Sequence, residues 1–153
     1  MLKVLFVCVQ NSARSQMAEA FVNRLGNGRF VAESAGITKG KLNPYVVRAM
    51  TEAGYDIRDN PVDSVFDFFK DGRQYDLVIK VCDESAGQQC PVFPSAALTL
   101  IWSFADPSQF TGSDEQIMSE VRTVRDEIER RINEMLRVLV ISKMGGSIDH
   151  QPE

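Results

Sequence analysis

A cysteine closes an apolar run near the N-terminus, an arginine follows six positions later, and a serine stands behind it. The segment is Val4-Leu5-Phe6-Val7-Cys8-Val9-Gln10-Asn11-Ser12-Ala13-Arg14-Ser15. The apolar run predicts a strand that delivers Cys8 to a short polar turn. Residues 13–25 predict a helix whose apolar face is Met17, Ala18, Phe21, Val22 and Leu25. A strand, a turn and a helix start in succession make a cradle of backbone N–H groups, contributed here by Val9, Gln10, Asn11, Ser12 and Ala13. The helix dipole favours an anion in such a cradle. Asn11 tolerates the left-handed backbone that a tight anion-binding turn needs. Arg14 adds a planar fork suited to two oxygens of a tetrahedral oxyanion. The thiolate is the nucleophilic form of cysteine, and a positive environment favours it. The chemistry implied is nucleophilic attack on an XO₄-type centre. A plain core cysteine is the alternative, but it leaves the polar turn without a purpose. The glycine-rich spacing of a nucleotide phosphate loop is missing.

Two further cysteines form a second group. Cys82 follows the apolar stretch Leu77–Val81, and Cys90 comes eight positions later, ahead of Pro91, across a small polar segment. Three readings are open on the pair alone: incidental thiols, half of a metal site, or a redox couple. The spacing and the lack of a neighbouring histidine argue against zinc. A disulfide needs Cα atoms about 4.4–6.8 Å apart, which a segment of this length can reach. Asp106-Pro107 follows another apolar stretch. It is either an ordinary Asp-Pro turn or a carboxyl placed to protonate a departing oxygen. The one histidine, His150, lies in the C-terminal tail, which leaves no Cys–His dyad. Trp102 and methionines 17, 50, 118 and 135 are expected in the core. Arg29, Arg48, Arg58 and the arginines of the last helix are expected at the surface.

The elements that must position these residues alternate. Strands are predicted at 2–7, 30–34, 75–81 and 98–104, the last two as buried strands. Helices are predicted at 13–25, from Asn43-Pro44 to about Gly54, and after Asp63 as cap, carrying Val65, Phe66 and Phe69. A long helix runs from about Ser113 with Ile117, Val121, Val124, Ile128, Ile132 and Met135 on one face. This order gives a single α/β domain over residues 1–143, a four-stranded parallel sheet flanked by helices, and a loose tail at 144–153. Ligands of such sheets bind beyond the carboxyl ends of the strands. Cys8, Cys82 and Asp106 all follow strands and can converge there.

The 153 residues suit one domain, with 44% hydrophobic and 25% charged residues. A net charge of −4 argues against nucleic acid or a membrane surface as main partner. An odd count of three cysteines and no secretory leader lead us to expect a reducing, cytoplasmic setting.

Taken together, the chain resembles the low-molecular-weight tyrosine phosphatase superfamily and, within it, the thioredoxin-coupled arsenate reductases. The resemblance runs from Leu2 to about Leu139. It rests on the segment 7–20, on Glu33-Ser34-Ala35-Gly36, on Cys82 with Cys90-Pro91-Val92-Phe93-Pro94, and on Ala105-Asp106-Pro107. The phosphatases typically carry a tyrosine soon after the Asp-Pro, where this chain has Ser108-Gln109-Phe110. Gln10 replaces a glycine common at the third loop position, and the Cys82–Cys90 spacing is one residue longer than usual. The resemblance implies Cys8 as nucleophile on arsenate, with phosphate and sulfate as competing oxyanions. Ser15 would donate a hydrogen bond to Cys8, and Asp106 would act as general acid. A Cys8–Cys82 disulfide would pass on to Cys82–Cys90 for thioredoxin to reduce. No organic cofactor is implied. The resemblance does suggest a potassium ion at Asn11, Glu19, Ser34 and Asp63, all oxygen-bearing. The rival functions are a phosphomonoester-hydrolysing phosphatase of the same superfamily and a non-catalytic oxyanion-binding or redox-sensing module.

Overall fold

A computed structural model describes residues 1–82 and 98–144, without the side chains of Cys82 and of 140–144. Cys90, the Cys82 side chain and the tail from 145 lie outside the described residues. Among the described residues nine elements follow one another: β1 (Leu2–Cys8), α1 (Arg14–Leu25), β2 (Phe30–Gly36), α2 (Pro44–Glu52), α3 (Val65–Lys70), β3 (Leu77–Cys82), β4 (Thr99–Ser103), a 3₁₀ turn (Pro107–Gln109) and α4 (Asp114–Met144). The strands form one sheet in the order β2-β1-β3-β4, and every pairing is parallel. The expected four-stranded parallel α/β domain is what forms.

Both faces of β1 are covered, which is why its sequence is a continuous apolar run. Val4 and Phe6 face the larger core with α1, α2 and α4, while Leu5 and Val7 face a smaller one with Val65 and Phe68 of α3. Trp102 joins the larger core against Phe6, as expected. Register sets the functional edge. Val7 pairs with Lys80, so one step further places Cys8 level with Val81, and Cys82 one residue beyond on the adjacent strand.

Four expectations need correction. Ser64, not Asp63, caps α3, its side chain accepting from the Phe66 N–H. Asp63 instead gives its own N–H and C=O to Asn11 and Gly36. In α3 Val65 and Phe68 are buried and Phe69 packs partly against the same core, as i, i+3 and i+4 neighbours share a face, whereas Phe66 is 56% exposed. Finally, β4 is an edge strand: Trp102 is buried but Ile101 is 50% exposed. One of the last-helix arginines also departs from the expected surface role. Arg125 is largely buried and donates to the Ala49 carbonyl at 2.8 Å, tying α4 to the end of α2.

Candidate active site

Cys8 ends β1, and the chain turns sharply at Asn11, whose φ is +55°. Asparagine is one of the few side chains that take this conformation at small cost. Four carbonyls of the turn face outward onto a belt formed by residues 37–43. Ile37, Thr38, Gly40 and Asn43 donate their N–H groups to the carbonyls of Cys8, Val9, Gln10 and Ser12 at 2.9–3.2 Å. Gln16 Nε2 takes the Asn11 carbonyl at 3.2 Å. In a trans peptide the N–H points opposite to the C=O, and no cis bond occurs among the described residues. The N–H groups of Val9, Gln10, Asn11, Ser12 and Ala13 are therefore turned inward. The Asn11 N–H meets Cys8 Sγ at 3.2 Å.

Helix α1 starts without a side-chain cap at Ala13, whereas α2 and α3 are capped by Asn43 and Ser64. An uncapped helix start facing a cleft is suited to an anion. The belt can come this close because residue 36 is glycine. A Cβ there would lie 2.6 Å from the Thr38 carbonyl oxygen and 2.7 Å from both the Asn11 nitrogen and the Gln10 carbonyl carbon.

A directed hydrogen-bond chain ends on the sulfur. The Asp63 backbone N–H, which can only donate, meets Asn11 Oδ1 at 3.0 Å. That fixes the Asn11 amide, so its Nδ2 is the atom donating to Ser15 Oγ at 2.8 Å. Ser15 Oγ lies 2.9 Å from Cys8 Sγ, and against a thiolate, which can only accept, it is the Ser15 hydroxyl that donates. Asn11 and Ser15 are fully buried and Cys8 is 4% exposed. The Asn11 N–H and the Ser15 hydroxyl are thus the two polar groups set against the sulfur.

Arg14 completes the wall. Its Nη1 donates to the Phe104 carbonyl at 3.1 Å, and its Nη2 lies 3.2 Å from Asp106 Oδ2, with both side chains nearly buried. Asp106 caps the 3₁₀ turn, and its Oδ1 accepts from the N–H and the Oγ of Ser108. Cys8, the loop residues, Arg14, Asp106, Ser108 and Gln109 enclose a cleft of about 120 Å³. Such a cleft offers a nucleophile at the floor, amides around it, a guanidinium on one side and a carboxyl at the rim.

The sequence matches the low molecular weight phosphotyrosine protein phosphatase family over residues 3–144. The chain belongs to that family. Its relatives place it among the arsenate reductases of the superfamily. An arsenate reductase of Halalkalibacterium halodurans is 37% identical over 129 residues, which cover 84% of this chain and 91% of the relative. A glutaredoxin arsenate reductase of Synechocystis is 33% identical over 89% of this chain and 97% of the relative. Among solved structures, an arsenate reductase in a phosphate-binding state superposes with a TM-score of 0.70 at 32% identity, covering 90% of this chain and 98% of that one. A thioredoxin-dependent arsenate reductase of Corynebacterium glutamicum gives 0.65 at 25% identity, covering 93% of this chain and 63% of that one.

Of the residues singled out in the sequence, Cys8, Val9, Gln10, Asn11, Ser12, Ala13, Arg14, Ser15 and Asp106 come together. Sequence reasoning missed Gln16, whose Nε2 also reaches Asn11 Oδ1 and the Pro61 carbonyl. It also missed the belt at 37–43 and the grip of Ser108 on Asp106. The four oxygen-bearing residues of the cation set fall into two pairs. Ser34 Oγ donates to Glu19 Oε1, and Asn11 Oδ1 is taken by the Asp63 N–H and by Gln16. Burial drives the Glu19 carboxyl above its ordinary value, and the charges of Glu33 and Asp63 push the same way, against the Ser34 hydrogen bond. Among the described residues no group of three or more His, Cys, Asp or Glu gathers for a metal, and no helix is long and apolar enough to cross a membrane.

Proposed function

We propose that this protein reduces arsenate to arsenite with Cys8 as nucleophile, Cys82 and Cys90 as a disulfide relay, and thioredoxin as the electron donor. The observation that supports this most is the fixed donor chain from Asp63 through Asn11 and Ser15 to Cys8, inside a cradle of inward amides. The cradle and Arg14 hold the oxyanion, and the Cys8 thiolate attacks arsenic. Asp106 protonates the oxygen that departs as water, leaving a Cys8 sulfur–arsenic bond. The Cys82 thiolate then attacks Cys8 Sγ. The electron pair of the sulfur–arsenic bond stays on arsenic, which falls from As(V) to As(III) and leaves as arsenite. A Cys8–Cys82 disulfide remains. The Cys90 thiolate attacks Cys82, frees the Cys8 thiolate and forms a Cys82–Cys90 disulfide, which the dithiol of thioredoxin reduces while itself becoming oxidised. Parallel strands that end at Cys8 and Cys82 support the first exchange.

The reaction runs in the cytoplasm, without an organic cofactor. A potassium ion would be held by Glu19, Ser34 and Asp63, offsetting the cost of the buried Glu19 charge. Asn11 Oδ1, with two donors already, is better suited to fixing the loop than to ligating the ion.

The deciding assay couples arsenate to NADPH through thioredoxin and thioredoxin reductase, with a glutaredoxin–glutathione arm beside it. Cys90→Ala should release one arsenite per enzyme and stop, and Cys82→Ala should release none. Sustained thioredoxin-coupled turnover by the double variant would remove the relay. Phosphatase activity uses the same Cys8, Arg14 and Asp106. Slow hydrolysis of p-nitrophenyl phosphate is expected as a side reaction, and fast hydrolysis without arsenite release would favour the phosphatase reading instead.

A further inference from the structure

Asp106 is gripped by one residue twice. Its Oδ1 accepts from the Ser108 N–H at 3.0 Å and from the Ser108 Oγ at 2.9 Å, while Oδ2 lies on the Arg14 side of the cleft. Gln109 Nε2 donates to Ser108 Oγ at 3.3 Å. A hydroxyl that accepts from an amide N–H directs its own proton elsewhere, here to Asp106. Gln109, Ser108 and Asp106 thus form a second directed chain, and all three line the cleft. The backbone bond would be supplied by any residue except proline at position 108. The hydroxyl bond is specific to this side chain.

We propose that Ser108 is a positioning residue for proton transfer, and this rests on the reading of Asp106 as the general acid. With two donors on Oδ1, Oδ2, on the Arg14 side of the cleft, is the oxygen left to carry the transferable proton. As that proton departs, charge grows on the carboxylate and the Ser108 O–H bond strengthens. The interaction is therefore worth more in the transition state than in the ground state. Ser108 is exposed, and its hydroxyl can be removed without opening the core.

The test is single-turnover arsenite formation by reduced full-length protein in excess over arsenate, for wild type, Ser108→Ala and Ser108→Thr, each checked by a thermal melt. No electron donor is needed. Losing a hydrogen bond to a charged group should slow Ser108→Ala about 10-fold. Half-saturation by arsenate should not change, because the amide cradle and Arg14 are intact. A carboxylate with one donor fewer holds its proton to higher pH, so the alkaline limb of the rate profile should move upward. Ser108→Thr, which keeps the hydroxyl, should recover most of the rate. An unchanged rate and pH profile for Ser108→Ala overturns the proposal, as does a defect confined to half-saturation or a failure of threonine to rescue. A wild-type protein that forms no arsenite overturns the arsenate reductase reading and this proposal with it.

Discussion

Gly36→Ala tests whether the closeness of the belt to the loop is what shapes the cradle. The added Cβ would lie 2.6 Å from the Thr38 carbonyl oxygen and 2.7 Å from the Asn11 nitrogen and the Gln10 carbonyl carbon. All three are backbone atoms, so no flexible side chain can yield. Either β2 separates from the loop or the loop shifts, and the Thr38-to-Val9 and Ile37-to-Cys8 hydrogen bonds stretch with it. Overpacking of this kind costs about 1–3 kcal/mol, and a clash with backbone on several sides belongs at the upper end, about 3 kcal/mol. For a domain of this size that is a loss of roughly 6–12 °C in melting temperature. The second consequence concerns the site. Phosphate at about 100 times its Kd should stabilise the wild type by about 2.7 kcal/mol. Gly36→Ala, with its amides displaced, should gain much less at the same concentration. Melting curves with and without phosphate, together with the iodoacetamide alkylation rate of Cys8, measure both effects. A variant that melts within a degree or two of wild type and keeps the full phosphate increment would refute the reasoning.

Asn11→Gly keeps the left-handed turn but removes the amide that orients Ser15. It should fold more stably than Asn11→Ala, which adds about 1–2 kcal/mol of left-handed strain. Both should alkylate Cys8 more slowly than wild type at mildly acidic pH, and full recovery of that rate in Asn11→Gly would show that the Ser15 proton needs no directing. For Glu19 the sign is set by its raised native value. The native state binds the Glu19 proton more tightly than the unfolded chain does. Ionisation therefore costs stability above the native pKa, and the cost is relieved as pH falls toward the ordinary 4.5. In potassium-free buffer at neutral pH, Glu19→Gln should melt higher than wild type, and the gap should close on acidification. Added potassium should raise wild type but not Glu19→Gln; equal potassium responses in the melts would remove the ion from this site.

The elements most legible in the sequence were those whose burial is uniform. A strand covered on both faces, such as β1, leaves a continuous apolar run that has no rival reading. An edge strand with apolar residues leaves the same trace, and Ile101 at 50% exposure beside buried Trp102 shows why β4 passed for a core strand. In α3, Val65, Phe66, Phe68 and Phe69 crowd one and a half turns, and no period separates the buried pair from the exposed Phe66. The site divides in the same way. Cys8, Arg14 and Ser15 lie within one turn and one helix start, so their spacing alone suggests their meeting. Gln16 reaches Pro61, 45 positions away, and Asp63 reaches Asn11 across 52. Those contacts depend on how β2 and the segment after α2 fold back, which local spacing does not encode. Ser108 is only two positions from the carboxyl it holds, yet a serine after Asp-Pro reads first as turn chemistry.

The exposed Gln10 at a position where the family commonly has glycine is reconciled by the same geometry. The cradle is made of backbone N–H groups, and what holds them inward is the belt at 37–43 acting on the opposite carbonyls. Side chains at Val9, Gln10 and Ala13 can then vary, provided the backbone path is kept. The path depends on Asn11 for its φ and on Gly36 for its closeness. Gln10 does meet a constraint, but from Gly40: a Cβ there would lie 2.8 Å from the Gln10 Cβ. A larger side chain at 10 is accommodated because residue 40 has none. Glycine at 40 therefore does for the belt side of Gln10 what glycine at 36 does for Asn11, and the loop can carry a long polar side chain without moving its amides. An oxyanion held this way is recognised by shape and charge common to phosphate and arsenate. On the proposed reading, Asp106 serves hydrolysis and reduction alike, so the step that separates them comes from outside the cradle, from a second thiol that attacks Cys8.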